Sequence, residues 1–510
     1  MTDDGAVIGN PTYMGDIRHF FRESPDILSM KQYGIDLATY DGVRDNALRI
    51  FFRVREGSMP CDGAWPTSRV ETFYNWMKNG YPRGQASPVP ASQLLKGAPA
   101  TRIRRNLKDL QPAEIEKVKT AFRGMMARHP DDPQSYFAIA GLHWLPGNPP
   151  LYYCRHHENA YNPWHRVYLM RFEDAMRSVD GCSDVTLPYW DIADPDIPDV
   201  LWDSPFDSYE VPVTLKALNG DTYPPAGTPG KYRTERYDKS AIETHLTDPN
   251  VDVPGNIVSA LGSSHWEDFN GWTSTRTQTG IIRAHDNGHN SSGPTMQNQD
   301  VAAFDPIFWF FHCNWDRIWW KWQTHYRATT LSTFKNTLAP GYPADWLDDP
   351  VLNPLPPFGY TTAETIDLSA FDTDYEHPAA EAAPELRAAT HGSLFASRSF
   401  AVAPVRQVSV RVKELNRLEI PGSFNVYLRV GDKVIGKQGL FQPSTPKKCA
   451  TCVKNALADF DFLVDPADLA SGEVNIEIRL LKNGAEIPFP VARAGNPTVN
   501  ARLLLANDSD

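Results

Sequence analysis

Residues 285–289 read His-Asp-Asn-Gly-His, and residues 304–319 read Phe-Asp-Pro-Ile-Phe-Trp-Phe-Phe-His-Cys-Asn-Trp-Asp-Arg-Ile-Trp. His285 and His289 are four positions apart, so on a helix both imidazoles project from one face. Two ring nitrogens so placed can converge on one ion, with a third histidine from a neighbouring helix completing the set. His312 lies among aromatic residues that would bury it, and a buried imidazole costs free energy unless a metal or a hydrogen bond satisfies it. A second histidine group stands upstream. It comprises His143 in Gly-Leu-His-Trp and residues 154–173, CRHHENAYNPWHRVYLMRFE, which contain His156, His157 and His165. Imidazole suits copper, zinc, iron and nickel, so ligand type does not select the metal. A lone buried histidine is more often a hydrogen-bonded core residue than a ligand. Two clusters together, with the residues around them, shift the reading to metal binding.

Working outward, residues 1–90 read as a small helical module. Asp16 to Arg22, Tyr40 to Arg55 and Val70 to Gly80 carry helix-spaced apolar residues. Gly84 to Pro99 is rich in Pro, Ser and Ala and reads as a linker. A long amphipathic helix follows, with Pro112 in its first turn, Glu114 behind it, and Ile115, Val118, Ala121 and Phe122 as its stripe. It ends near His129-Pro130. Residues 100–390 form a mainly helical core in which long, Pro-punctuated loops connect the helices. Beyond Pro378 to Pro384 the period changes to two: Val408 to Lys413, Phe424 to Val430 and Val474 to Leu480 alternate as half-buried strands do. Residues 393–510 are therefore expected to form an antiparallel β-sandwich.

The charge balance, 50 basic against 62 acidic residues, argues against a polyanion-binding surface, so no nucleic-acid partner is expected. No apolar run reaches the roughly 20 residues needed to cross a bilayer, so no membrane partner is expected either. Met1 to Gly9 lacks a basic region followed by an apolar core. The expectation is a cytoplasmic protein, or one exported by a segment outside this chain. Six cysteines are too few for a disulfide-built scaffold of this size. Cys61, in Met-Pro-Cys-Asp-Gly, suggests a turn. Cys449-Ala-Thr-Cys452 is a lone CxxC that cannot by itself complete a tetrahedral zinc site, and it reads as a disulfide or as inert thiols.

The segment Gly141 to Met176 resembles the copper-A region of tyrosinases, polyphenol oxidases and molluscan haemocyanins. It shares with them a Gly-x-His, a Cys-x-His, and a Pro-Trp-His-Arg…Glu helix nine residues beyond the second histidine. Leu187-Pro-Tyr-Trp190-Asp191 and Phe304 to Trp319 are similar to two further words of the family, and the resemblance covers roughly residues 100 to 375. It implies a mainly α core, a helix bundle holding two coppers, with O2 as co-substrate. His143, His156 and His165 would bind copper A, and His285, His289 and His312 copper B. His156, not His157, keeps the family spacing before His165. Phe311 stands where many members have a first of two adjacent histidines, which leaves His312 unambiguous.

The same resemblance implies several secondary roles. Asp316, Arg317, Arg166 and Glu173 would be structural. Cys154 would form a thioether with His156. Asp286 stands where members with monophenol activity often carry Asn, and would act as a proton acceptor or hydrogen-bond the His285 ring, with Glu267 as its partner. A gate over copper A would fall between Met296 and Ala303. Cys449 and Cys452 gain a third reading, a soft copper(I) relay like the CxxC of some fungal members.

The implied activity is oxidation of o-diphenols to o-quinones and o-hydroxylation of monophenols such as L-tyrosine and L-DOPA, the chemistry of melanin formation. The alternatives are a catechol oxidase or an o-aminophenol oxidase without hydroxylase activity, and, less favoured, a haemocyanin-like oxygen carrier. The carboxy-terminal domain would be a lid over the site. Homo-oligomerisation is left open.

Overall fold

The computed structural model describes residues 7–504 apart from 84–101, 147–149, 217–221, 224–229, 273–278, 349–354, 377–406 and some shorter stretches. Cys61, the Gly84 to Pro99 linker and the Pro378 to Leu394 stretch lie outside the described residues. In the amino-terminal part the helical stretch Tyr40 to Arg55 is two helices, α1 (Tyr40–Asp45) and α2 (Ala47–Arg55), broken at Asn46. With α3 (Thr67–Lys78) they enclose their own aromatic core around Phe51, Trp65, Phe73 and Trp76.

The expected long helix is α4 (Pro112–Met126), which stops a turn before His129. Pro112 opens it without sacrificing a backbone donor, and the Glu114 carboxylate accepts the Gln111 N–H at 2.7 Å. Four helices then build the centre: α5 (Tyr136–His143), α6 (Tyr161–Arg177), α7 (Gly280–Ser292) and α8 (Ile307–His325). Helices α6 and α8 are buried on nearly every face, as expected of helices in the middle of a core. Gly288 allows α7 to approach α8 closely, because a Cβ there would lie 2.9 Å from the Phe311 ring.

A buried ion network holds α6 to α8. Arg166 Nε donates to Asp316 at 2.6 Å and its guanidinium lies 3.7 Å from the centre of the Trp319 ring. Arg104 joins Glu173 at 3.0 Å to Asp316 at 3.2 Å. It comes from β1 (Arg102–Arg104), which pairs in parallel with β2 (Thr373–Tyr375). Arg317 reaches Asp191 at 3.1 Å. Breaking one partner of a buried pair typically costs about 3–5 kcal/mol, which makes these ions fixed points for the histidines on the same helices.

Residues 407–504 are built on two antiparallel sheets. The first has the order β6 (Leu457–Val464), β3 (Gln407–Asn416), β9 (Thr498–Leu504). The second runs β8 (Ala485–Phe489), β7 (Val474–Lys482), β4 (Phe424–Val430), β5 (Lys433–Leu440). Val408, Val410 and Val412 turn inward together with Phe460 and Phe462 of β6. The end of β5 lies on α7. A Cβ on Gly439 would fall 2.4 Å from Asn290 Nδ2, and the Gly439 N–H donates to Asn287 Oδ1 at 2.7 Å. This close approach brings the sheet onto the histidine helix. No described helix is long and apolar enough to cross a membrane.

Candidate dinuclear metal centre

His143 closes α5, His156 lies in the loop that follows, and His165 sits in the first turns of α6. His285 and His289 share one face of α7, and His312 lies on α8. All six are buried, with exposures of 4% or less. The ligating atoms of His285, His289 and His312 lie within 4.8 Å of one another. His143, His156 and the thiol of Cys154 form a second group on the same criterion. His165 stands between the groups: its ring is 5.2 Å from that of His156 and stacks on His312 at 4.5 Å.

Backbone and carboxylate acceptors orient three of the rings. His165 Nδ1–H donates to Tyr161 O at 2.8 Å, His289 Nδ1–H to Met296 O at 2.9 Å, and His285 Nδ1–H to Asp286 Oδ1 at 2.8 Å. In each ring the Nε2 lone pair is thereby turned to the interior. His165 Nε2, His285 Nε2, His312 Nδ1 and both nitrogens of His143 and His156 are buried without a protein partner. Burial holds His143 at about 3 and lowers the other five as well, so all six are neutral at physiological pH. Neutral imidazoles with unpartnered buried nitrogens are what two metal ions require, and without metal each would cost about 1–3 kcal/mol. The donor set fits copper.

Asp286 is buried and receives two more donors besides His285: His157 Nε2–H at 2.9 Å and the Phe441 backbone N–H at 3.0 Å. Burial pushes its pKa up, but the hydrogen bonds from His157 and His285 outweigh this and hold it at about 2. His157 Nδ1 accepts from Arg417 Nη1 at 3.0 Å, so Arg417, His157, Asp286 and His285 form one hydrogen-bonded chain. Neither Arg417 nor Phe441 is marked by a motif. The signal for Phe441 was faint: the glycines at 436 and 439 in an apolar strand mark places where another backbone or side chain comes close. Glu267 lies in the short helix Trp266–Asn270; its Oε1 accepts from the Ala339 N–H at 2.9 Å, and its Oε2 is buried without a partner.

Over the histidines sits Phe441, the residue after β5. Its ring stacks on His289 at 3.9 Å with an interplanar angle of 11°, and it meets His156 edge-on at 5.3 Å. On the His143 side the packed ring is Phe308, 5.0 Å away and 4.1 Å from His312. It lies on α8 and not in the Met296–Ala303 stretch where a gate was expected. That stretch instead holds the site from behind, through Met296 O on His289 and Gln299 Nε2, which donates to Cys154 Sγ at 3.3 Å.

Cys449 and Cys452 are free thiols packed with Trp144, so the disulfide alternative is not formed. The Cys452 N–H donates to Cys449 Sγ at 3.2 Å and Arg417 Nη2 to Cys452 Sγ at 3.4 Å. Burial opposes ionisation of Cys452, but the bond to Cys449 and the Arg417 charge lower its pKa nonetheless.

Fold and site together define a mainly helical dicopper protein with a β domain packed on its metal centre. A family profile described as the common central domain of tyrosinase matches residues 133–325, the stretch containing all six histidines. The chain carries the central domain of the tyrosinase family and is a dicopper phenol oxidase. It is 23% identical over 487 residues to a tyrosinase of Aspergillus oryzae, covering 70% of this chain and 88% of that one. It is 29% identical to hemocyanin 2 of Megathura crenulata over 248 residues, 44% of this chain but 6% of that much longer one. A solved tyrosinase from Burkholderia thailandensis shares the fold at a TM-score of 0.57 and 20% identity, with 79% of this chain and all (100%) of that one covered.

Proposed function

We infer that this protein oxidises o-diphenols such as L-DOPA to o-quinones and also o-hydroxylates monophenols such as L-tyrosine, and that it is held latent by residues 407–504. The single observation that carries latency is Phe441, whose ring lies flat on His289 where an aromatic substrate would stack. His143, His156 and His165 would hold one copper, and His285, His289 and His312 the other. When bound, the copper pair supplies dioxygen binding and two-electron redox chemistry. Over a diphenol cycle two diphenols give two quinones while O2 is reduced to two waters.

The chain's own groups do the rest. The acceptors on His165, His285 and His289 fix the rings before metal arrives, and the aromatic walls exclude water. With three donors already on it, Asp286 acts here as a positioning residue for His285; a phenolic proton would reach it only after Phe441 and its N–H have withdrawn. Cys154, whose Sγ lies within 4.8 Å of one ring nitrogen of His156, would form the thioether that locks that ring. The reduced Cys449–Cys452 pair is suited to hold soft copper(I) during loading.

The test is turnover of L-DOPA and L-tyrosine by copper-loaded full-length protein, before and after limited proteolysis between residues 377 and 406. The expected result is low activity that rises on cleavage, with both substrates consumed. L-DOPA turnover without L-tyrosine turnover would reduce the reading to a catechol oxidase. Reversible O2 binding with no turnover after cleavage would make the protein a carrier.

A further inference from the structure

His157 is the buried histidine that the ligand set leaves over. Its ring is 1% exposed and packs on Trp272 at 4.5 Å. Its backbone is left-handed, with φ at 58°, a conformation that a residue with a Cβ adopts at a cost and that its surroundings must hold. Part of that hold comes from the β domain, where Asn455 Nδ2 donates to His157 O at 2.9 Å.

Arg417 sets the state of the ring. Its guanidinium is fixed within the β domain, with Nε on Gln442 Oε1 at 2.9 Å and Nη2 on Cys452 Sγ at 3.4 Å. Nη1 meets His157 Nδ1 at 3.0 Å, and because a guanidinium only donates, Nδ1 must present its lone pair. The ring proton is therefore on Nε2, which donates to Asp286 Oδ2 at 2.9 Å. The same oxygen accepts the Phe441 N–H at 3.0 Å, while Oδ1 accepts His285 Nδ1–H at 2.8 Å. A carboxylate behind a metal-binding imidazole strengthens that imidazole as a donor, and every further donor on the carboxylate draws off part of the effect. Two such donors reach Asp286, and both depend on the β domain. Phe441 belongs to it, and the His157 tautomer is set by Arg417.

We propose that His157 is a positioning residue for the copper ligand His285: through Asp286 it lets the docked β domain weaken His285 as a copper donor. The β domain then acts on copper B electronically as well as by covering it. Weaker donation favours copper(I) over copper(II), so the Arg417–His157 contact raises the reduction potential of the copper pair. The assignment rests on His285 as a copper-B ligand. It holds whichever phenol is oxidised, and whether or not the intact protein is latent.

The test is a redox titration of the copper-loaded full-length protein, with copper content checked by mass spectrometry and folding by circular dichroism. His157→Phe keeps a ring against Trp272 and removes both hydrogen bonds of the imidazole. It should shift the preference about tenfold toward copper(II), which is about 30 mV downward in a two-electron couple. Arg417→Met should move the potential the same way, and decides the matter if His157→Phe does not fold. His157→Gln, which can still donate to Asp286 and accept from Arg417, should stay near the wild-type value. A folded His157→Phe or Arg417→Met with two coppers and an unmoved potential would make His157 a packing residue only and overturn the assignment. So would a glutamine variant shifted as far as the phenylalanine one. His285→Ala should hold about one copper; two retained would remove the ligand, and with it both this assignment and the copper-B set.

Discussion

Replacing Phe441 with alanine removes the ring that lies on His289 at 3.9 Å and meets His156 at 5.3 Å. The side chain is fully buried, and phenylalanine-to-alanine changes at such positions cost about 3–5 kcal/mol. Only the capped state contains this contact, so nearly the whole cost falls on that state. Taking about 3 kcal/mol, the population with β5 lifted from the histidines rises roughly 100-fold, since each 1.4 kcal/mol is a factor of ten. Even molecules that stay capped gain a ring-sized space over His289. The assay is the initial rate of L-DOPA oxidation by intact protein divided by the rate after proteolysis between 377 and 406, with copper content matched by mass spectrometry. In the wild type this ratio should be small, and in Phe441→Ala it should approach one. Phe441→Leu, which keeps bulk but not the flat ring, should fall between. If Phe441→Ala at equal copper loading remains as latent as the wild type, the ring does not hold the site shut, and the latency argument fails.

Arg417→Met leaves His157 Nδ1 without its donor, and should lower the melting temperature and raise uncleaved L-DOPA turnover; no change in either would show the hydrogen-bonded chain to be incidental. His289→Ala should reduce copper from two to about one per chain while leaving the circular dichroism spectrum intact; full retention of two coppers would remove His289 from the ligand set. Intact mass of the loaded protein should be two hydrogens below the sequence mass if Cys154 is joined to His156, and Cys154→Ala should abolish the difference. Asp300 supplies a pH test. It is buried against the hydroxyl and N–H of Ser444, and burial raises its pKa from 3.8 to about 6. A raised carboxyl pKa means stability that is full below about 4 and lost as pH rises through 6, by up to about 3 kcal/mol. Asp300→Asn should therefore melt above the wild type at pH 7.5 and close to it at pH 4; a pH-independent difference would refute this reading.

The amino-acid sequence alone marked the two histidine clusters and the class of fold. Spacing on a helix face pairs His285 with His289, and aromatic neighbours announce the burial of His312, while the choice of His156 over His157 rests on the resemblance to the family's nine-residue interval. Strands with period two marked β3, β4 and β7. These are local properties, and local properties are legible because helix and strand geometry repeat within a few residues. Arg166, Asp316 and Glu173 were legible as structural ions, although Arg104, which joins two of them, was not. What only the tertiary structure decided is which surfaces meet. Phe441 reaches His289 across 152 positions, and Arg417 reaches His157 across 260. Nothing in either neighbourhood encodes that approach; it follows from how the two sheets pack and where β5 ends on α7.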